Sequence, residues 1–192
     1  FPIESILFCL NEANITLNQV NYICIGRDPY AKIFYKIFFL IKNIFSIKGL
    51  LFSRFNNTKS LINFKSQLLN ISNLDIKTLE SKIKYIEHHR SHLASAFFAS
   101  PFKESAILSI DGSGDFTTTM LAVGKGNKIK VINSINFPVS IGLLYTSFTQ
   151  YLGFYNYGDE YKVMGLAPYG QPIYVNEILN IIELKKNGLF NW

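Results

Sequence analysis

Three short apolar runs in the middle of the chain constrain its fold more than any other feature. Residues 105–110 read Ser-Ala-Ile-Leu-Ser-Ile, and further runs follow at 117–123 and 129–135. The connection between the last two, Gly-Lys-Gly-Asn at 124–127, is typical of a tight hairpin turn. The sequence therefore predicts an antiparallel meander at the centre of the chain.

Apolar residues at helical spacing flank this meander on both sides. Helices are predicted over residues 2–10, 14–20, 32–47, 60–69, 91–99, 142–152, 161–166 and 176–184. Two short apolar strands are predicted at 22–26 and 83–86. This mixture of helices and strands predicts the α/β class.

The size and charge of the chain exclude several classes of function. Its 192 residues are 48% hydrophobic and 17% charged, which suits one globular domain or a large part of one. The net charge of +6 comes from lysines scattered among apolar residues rather than from a basic block, which argues against nucleic-acid binding. The chain starts at Phe1 and has methionine only at 120 and 164, so we interpret it as an internal fragment.

The apolar stretch over residues 32–52 raises the question of a membrane. Lys32, Lys36, Lys42 and Lys48 interrupt it, and no uncharged run approaches the roughly 20 residues that a span requires. An amphipathic surface helix fits this stretch. A helix packed in the core, with its lysines reaching water, fits it too and is the interpretation we favour.

The two cysteines bear on the cellular compartment. Cys9 and Cys24 have no Cys-x-x-Cys frame and lie in apolar runs, which predicts buried free thiols. A reducing cytoplasmic location fits this pattern, and no signal peptide is visible.

All three histidines lie within five residues, at His88, His89 and His92. His88 and His92 are four residues apart, so on a helix their rings share one face and can reach a single metal. The alternative interpretation is a capped helix start whose histidines are solvated or packed in the core.

A carboxylate follows the strand predicted at 105–110. Asp111 is followed by Gly112, Ser113 and Gly114, and the glycines would allow unusual backbone angles and a close approach of N–H groups to phosphate. A plain Asp-Gly hairpin turn is the alternative. Two histidines and one carboxylate form a three-ligand set that suits iron or zinc and leaves positions for substrate.

The segment at residues 160–170 is a third candidate site. Glu160 could bind ribose hydroxyls and glycine backbone could approach a nucleotide, with Lys162 near the start of the short predicted helix and Gly165 and Gly170 near its end. An ordinary surface helix with a Pro-Gly stop is the alternative. Upstream, Ser140 is predicted to cap the helix at 142–152.

Taken in order, these motifs resemble the NodU/CmcH-type O-carbamoyltransferase family. The resemblance runs from the Phe-Pro-x-x-x-Ile start through the histidine block at 88–102, and it closes with Glu-Tyr-Lys-Val-Met-Gly-Leu-Ala-Pro-Tyr-Gly at 160–170. It implies an actin/Hsp70-like ATPase fold, which is ribonuclease H-like. Residues 1–192 would be an incomplete fragment of the N-terminal lobe, without the first strands, the second lobe and the YrdC-like domain.

The resemblance also implies a reaction. A YrdC-like domain in the same full-length chain would make carbamoyl-adenylate from carbamoyl phosphate and ATP. The domain seen here would pass the carbamoyl group to a hydroxyl of a sugar or natural-product acceptor. The implied cofactors are therefore ATP or carbamoyl-adenylate and a divalent metal, and no nucleic acid or membrane span is expected.

Site residues follow from the same resemblance. His88, His92 and Asp111 would be catalytic residues and ligands of an iron ion, with a fourth ligand beyond Trp192. Adenine nucleotide would lie between residues 111–115 and 160–170, and its phosphates would contact Gly112, Ser113 and Gly114. The fragment alone is expected to bind metal weakly and to be inactive.

Two other functions stay open for such a chain. One is a non-catalytic nucleotide- or metal-binding domain of the same fold, which loss of the YrdC-like domain or of the fourth ligand would favour. The other is an actin-like sugar kinase, which would phosphorylate a sugar from ATP without carbamoyl phosphate.

Overall fold

A computed structural model describes residues 2–43 and 64–192. The chain divides into two compact units, the first covering residues 1–29 and 33–86 and the second covering 30–32 and 87–192. The parts of the predicted helices at 44–47 and 60–63 lie outside the described residues. The mixed α/β class predicted from the sequence is confirmed.

The first unit is mostly helical. Its elements are α1 (Ile3–Glu12), a 3-10 turn (Leu17–Gln19), β1 (Ile23–Ile25), α2 (Ile33–Lys42), helical residues 64–70, α3 (Ile76–Lys82) and β2 (Ile83–Tyr85). Strands β1 and β2 pair in parallel, with Ile23 opposite Ile83.

The core of the first unit joins residues distant in the chain. Its buried members are Leu17, Phe64, Leu68, Leu79 and Ile83. Burying a leucine side chain contributes roughly 1.5–3 kcal/mol, so this cluster holds the helices on the two-stranded sheet.

Helix α3 was not predicted from the sequence. The Asp75 carboxylate caps it by accepting hydrogen bonds from the backbone N–H groups of Lys77 and Thr78, at 2.9 and 3.0 Å. Aspartate is one of the preferred N-cap residues, so Asp75 is a readable start signal for a helix.

Two expectations about the first unit are wrong. None of the residues of α2 is buried, so its apolar side chains do not pack in the core of the unit. Cys9 and Cys24 are both exposed, because α1 turns Cys9 outward and β1 alternates its side chains.

The second unit contains the meander. Its elements are α4 (His88–Phe98), β3 (Glu104–Gly114), β4 (Thr117–Lys125), β5 (Lys128–Asn136), α5 (Ile141–Tyr151), α6 (Glu160–Leu166), a 3-10 turn (Ala167–Tyr169), α7 (Val175–Ile181), β6 (Glu183–Leu184) and β7 (Phe190–Asn191).

The predicted antiparallel meander is confirmed, with the strand order β3-β4-β5. Helix α4 packs on one face of this sheet through Leu93 and Phe97, which meet Ile107, Met120 and Ala122. Strand β3 is an edge strand of this sheet, and it exposes Leu108 and Ile110 on the face away from α4.

The C-terminal helix is shorter than predicted. Helix α7 ends at Ile181, and Glu183 pairs with Asn191 in a small antiparallel sheet. Gly188, at φ 75°, supplies the left-handed backbone that this reversal needs. Among the described residues, no helix is both long and apolar enough to cross a bilayer.

Candidate functional site

The histidine-bearing helix α4 starts at His88, three residues earlier than the sequence predicted. The first backbone N–H of a helix has no partner within the helix. That of His88 donates instead to Asp115 Oδ2 at 2.9 Å, a contact across the second unit. The carboxylate that lets the helix begin at His88 is therefore distant in sequence.

A bulge in β3 brings Asp111 to the same place. Ile110 pairs with Thr119 and Gly114 pairs with Thr117, so three residues of β3 lie opposite Thr118 alone. Such bulges bend a strand and re-aim its side chains. Asp111 is thereby released from the regular ladder at the edge of the sheet, next to the start of α4.

His88, His92 and Asp111 converge on one point. His88 Nε2 lies 2.8 Å from Asp111 Oδ2 and 2.9 Å from His92 Nε2, and His92 Nε2 lies 3.7 Å from Asp111 Oδ2. These are the three residues that the four-residue histidine spacing and the strand-end aspartate singled out. The structure brings them together as one possible ligand set.

Hydrogen bonding alone does not satisfy this arrangement. An imidazole nitrogen carries one proton or one lone pair, so it forms one linear hydrogen bond. His88 Nε2 faces both Asp111 Oδ2 and His92 Nε2 and can serve only one of them well. Three atoms at these separations share a point about 2 Å from each, which is the length of a metal–nitrogen or metal–oxygen bond. The donor set therefore fits a divalent metal.

The Asp111 carboxylate is ionised and oriented for this role. Burial favours the neutral acid, but hydrogen bonds from the His88 ring and the Gly112 N–H outweigh it, so the pKa of Asp111 is lowered. The Gly112 N–H donates to Oδ1 at 2.6 Å, which leaves Oδ2 facing the histidines.

The site is open to solvent on one side. The side chains of His88, Asp111 and His92 are 31%, 42% and 52% exposed. Next to them lies a depression of about 340 Å³ lined by His92, Leu108, Ser109, Ile110 and Asp111. A small ligand could therefore reach His92 and Asp111 from this side.

The unusual backbone angles predicted for the glycines after Asp111 are not found. Neither Gly112 nor Gly114 adopts a positive φ, and the left-handed residues of the turn are Asp115 at 51° and Phe116 at 76°. Gly114 is required because a Cβ there would overlap the ring of His88. At Gly112 a Cβ would come no closer than 3.8 Å to the Leu143 side chain, an ordinary contact.

His89 is a supporting residue to which the sequence assigned no role. It is fully buried, its Nε2–H donates to the Thr117 carbonyl at 3.0 Å, and its Nδ1 accepts from the Ser109 hydroxyl at 2.8 Å. Burial lowers the pKa of His89, and the bond to the Thr117 carbonyl only partly opposes this. The neutral ring ties the first turn of α4 to both β3 and β4.

Helix α5 begins against the backbone of Asp111 and Gly112. As predicted, Ser140 caps it, since its hydroxyl accepts from the Leu143 N–H at 3.1 Å. The same hydroxyl lies 2.7 Å from the Gly112 carbonyl and 3.1 Å from that of Asp111. A Cβ at Gly142 would come within 2.7 Å of the Asp111 and Gly112 backbone, so glycine permits this close approach.

The segment at 160–170 is linked to the same helix. Thr146 on α5 donates to Glu160 Oε1 at 2.6 Å, and this bond lowers the pKa of Glu160. Lys162 forms an ion pair with Asp159 at 2.7 Å, which raises the pKa of Lys162. Gly165 and Gly170 have ordinary backbone angles, and a Cβ at Gly165 would meet open space.

The whole chain matches one known family. The family described as Carbamoyltransferase N-terminus matches residues 1–192. The chain therefore belongs to the carbamoyltransferase family, as the sequence motifs predicted.

The chain is also similar to individual curated proteins. Protein sll1178 of Synechocystis is 40% identical over 99% of this chain, and the match covers 32% of that relative. Nodulation protein NolNO of Sinorhizobium fredii is 48% identical over 56% of the chain and 16% of its own length. Nodulation protein NolO of Bradyrhizobium diazoefficiens is 45% identical over 54% of the chain and 19% of its own length. The chain thus spans at most about a third of these relatives.

Proposed function

We propose that this chain carries the metal-binding part of an O-carbamoyltransferase. The full protein would transfer a carbamoyl group from carbamoyl-adenylate to a hydroxyl of a sugar or natural-product acceptor, in the cytoplasm. The observation that carries the proposal is the convergence of His88 Nε2, His92 Nε2 and Asp111 Oδ2 on one point. Membership of the carbamoyltransferase family supports the reaction class.

The proposed ligands of the metal are His88, His92 and Asp111. Two imidazoles and one carboxylate suit iron or another divalent transition metal. Such an ion, when bound, would polarise the carbamoyl carbonyl or neutralise phosphate charge. The partial exposure of all three side chains leaves room for a further ligand and for substrate.

The chain's own groups hold this site in one arrangement. The Gly112 N–H fixes the rotation of the Asp111 carboxylate, and His89 anchors the first turn of α4 through two buried hydrogen bonds. Ligands held in place before binding lose less freedom when they coordinate an ion, which favours affinity.

We further propose that an adenine nucleotide lies along α5. This helix begins against the backbone of Asp111 and Gly112, and one turn later Thr146 holds Glu160. Phosphates would contact Gly112, Ser113 and Gly114, and the ribose would contact Glu160. The other proposed contacts are Lys162, Gly165 and Gly170. Because Lys162 is paired with Asp159, a phosphate would have to share or replace that carboxylate.

The parent fold we propose is the actin/Hsp70-like ATPase fold. The β3-β4-β5 meander, with helices on its faces and a carboxylate at a bulged strand end, supports this assignment. In that scheme residues 1–192 form part of one lobe, and a YrdC-like domain elsewhere in the parent chain makes carbamoyl-adenylate from carbamoyl phosphate and ATP.

The test is an acceptor carbamoylation assay on the full-length protein. Wild type, His92→Ala and Ser95→Ala are incubated with ATP, carbamoyl phosphate and a panel of hydroxyl-bearing acceptors, and the products are read by mass spectrometry. Ser95→Ala is the matched control because it alters an exposed residue of the same helix.

We expect carbamoylated product from wild type and Ser95→Ala and none from His92→Ala. Undiminished transfer by His92→Ala would overturn the role of the site. Phosphorylated acceptor formed without carbamoyl phosphate would show a kinase instead.

A further inference from the structure

The connection between β3 and β4 is a two-residue turn with an uncommon backbone. Gly114 pairs with Thr117, so Asp115 and Phe116 form the whole loop, and their φ angles are 51° and 76°. Two-residue hairpin loops with positive φ at both positions usually have Asn-Gly or Asp-Gly, because glycine adopts that region without strain. Asp115 fits the first of these positions, whereas Phe116 departs from the pattern at the second.

Phe116 is held in the left-handed region by its surroundings. Its side chain is buried, its ring lies 5.8 Å from the Phe137 ring, and its carbonyl accepts the Phe137 N–H at 3.0 Å. A strained backbone persists only where such contacts over-determine it, and strained residues cluster at functional sites. These contacts fix the turn against the residue that follows β5, and they fix the backbone of the neighbouring Asp115 with it.

The residues of this turn and its edges contact the first turn of α4. Gly114 lies against the ring of His88, and the Thr117 carbonyl accepts from the ring of His89 at 3.0 Å. Between them, Asp115 Oδ2 accepts the backbone N–H of His88 at 2.9 Å. Asp115 is therefore the side chain through which the turn holds the backbone of His88.

We propose that Asp115 is a positioning residue of the metal site, an inference that rests on the proposal that His88, His92 and Asp111 bind a metal. The Asp115 carboxylate holds the backbone of His88 where its ring lies 2.8 Å from Asp111 Oδ2. A ligand held in place before binding loses less freedom when it coordinates an ion. Partners that orient ligands typically change metal affinity about 10–100-fold.

An ordinary helix cap would affect stability alone, and the chain offers such a cap for comparison. The Asp75 carboxylate caps α3 by accepting from the backbone N–H groups of Lys77 and Thr78. Asp75 is exposed and lies in the first unit, whereas the proposed ligands lie in the second. Removing the Asp75 carboxylate is therefore a matched control for removing that of Asp115.

The experiment is titration of the full-length protein with Co²⁺, whose visible absorption depends on the number and geometry of its ligands. The variants are Asp115→Gly, Asp115→Asn, Asp75→Gly and His88→Ala, and circular dichroism checks that each is folded. Glycine adopts a positive φ without strain, so Asp115→Gly removes the acceptor and leaves the turn intact. Asparagine keeps an oxygen acceptor and tolerates the left-handed region.

We expect Asp115→Gly to bind Co²⁺ at least about tenfold more weakly than wild type and to change its absorption spectrum. Asp115→Asn and Asp75→Gly should bind as wild type does, with the same spectrum. An unaffected Asp115→Gly would overturn the positioning role, and so would an equal loss of affinity in Asp75→Gly. A tenfold loss in Asp115→Asn would overturn it too, even where the glycine variant does not fold.

His88→Ala separates this inference from the proposal on which it rests. It should bind Co²⁺ more weakly than any other variant, because it removes a ligand. Wild type that binds no Co²⁺, or His88→Ala that binds it as tightly as wild type, would overturn the metal site and the positioning role together. Weak binding by His88→Ala beside an unaffected Asp115→Gly would overturn the positioning role alone.

Discussion

At the scale of single residues, His88 is fixed by contacts from three directions. Asp115 accepts its backbone N–H, Asp111 accepts from its ring, and Gly114 lies against the ring face. Each contact comes from the β3–β4 connection or the strand end before it. The position of His88 therefore depends on a segment more than twenty residues away in sequence.

Replacing Gly114 with alanine should disturb His88 directly. The new Cβ would overlap the ring, which must move, and forced overpacking costs about 1–3 kcal/mol. We expect weaker metal binding by titration calorimetry and a lower free energy of unfolding in urea.

Gly112→Ala is the matched control for this change, since its Cβ meets only an ordinary contact. Unchanged metal affinity in Gly114→Ala would show that metal binding does not depend on the position of the His88 ring.

His89→Ala should lower the stability of the protein, whereas His92→Ala should lower its affinity for metal. His89→Ala removes the partner of the Ser109 hydroxyl and of the Thr117 carbonyl, at a cost of about 1–3 kcal/mol for each buried group left without a bond. His92→Ala alters a half-exposed side chain, so its effect on unfolding should stay within about 0.5 kcal/mol.

The readouts are urea unfolding and metal titration on both variants. His92→Ala should lose metal affinity and keep its stability, and His89→Ala should lose stability. A large loss of stability in His92→Ala would contradict this division.

The ligand candidates were predictable from sequence, but their supports were not. His88 and His92 have the helical spacing of a ligand pair, and Asp111 follows an apolar strand. His89 shares that histidine run, yet only the fold shows that its ring lies between two strands. Gly114 looked like a residue chosen for its backbone freedom, whereas the structure gives it a role in packing.

At the scale of elements, α5 connects the strand end to the segment at 160–170. Its first turn approaches the backbone of Asp111 closely, and its middle binds Glu160 through Thr146. The docking of this helix depends on the absence of a side chain at Gly142.

Alanine at Gly142 and at Gly165 should therefore have opposite effects. Both glycines lie in helices. A Cβ at Gly142 would overlap the backbone of Asp111 and Gly112, which has no alternative rotamer, so alanine there should lower the free energy of unfolding by about 1–3 kcal/mol. A Cβ at Gly165 meets open space, and alanine there should add up to about 1 kcal/mol of helix stability.

Urea unfolding of the two variants beside wild type measures both effects. A Gly142→Ala variant as stable as wild type would show that α5 tolerates a shift away from Asp111.

The sequence predicted those elements whose start, end and apolar pattern are set by neighbouring residues. The meander, β1 and β2 follow from short apolar runs, and α5 follows from its apolar spacing and the Ser140 cap. The start of α4 was misplaced because its cap, Asp115, comes from a distant loop. The end of α7 was misplaced because apolar residues continue into β6 without a change of pattern.

At the scale of the whole molecule, two compact units each have their own buried core. The three proposed metal ligands, His88, His92 and Asp111, all lie in the second unit. The family match covers the whole chain, which spans at most about a third of the length of the curated relatives it matches. The geometry of the three ligand candidates can be tested in this chain.

Anomalous diffraction at the iron absorption edge tests directly whether His88, His92 and Asp111 bind one metal ion. Crystals of the protein would be saturated with Fe²⁺ under anaerobic conditions, and crystals of Asp111→Asn would be treated identically. We expect one strong peak in the wild type, about 2 Å from His88 Nε2, His92 Nε2 and Asp111 Oδ2, and a weak or absent peak in the variant. A saturated crystal with no peak at this point, or with its metal bound by other residues, would contradict the proposed metal site.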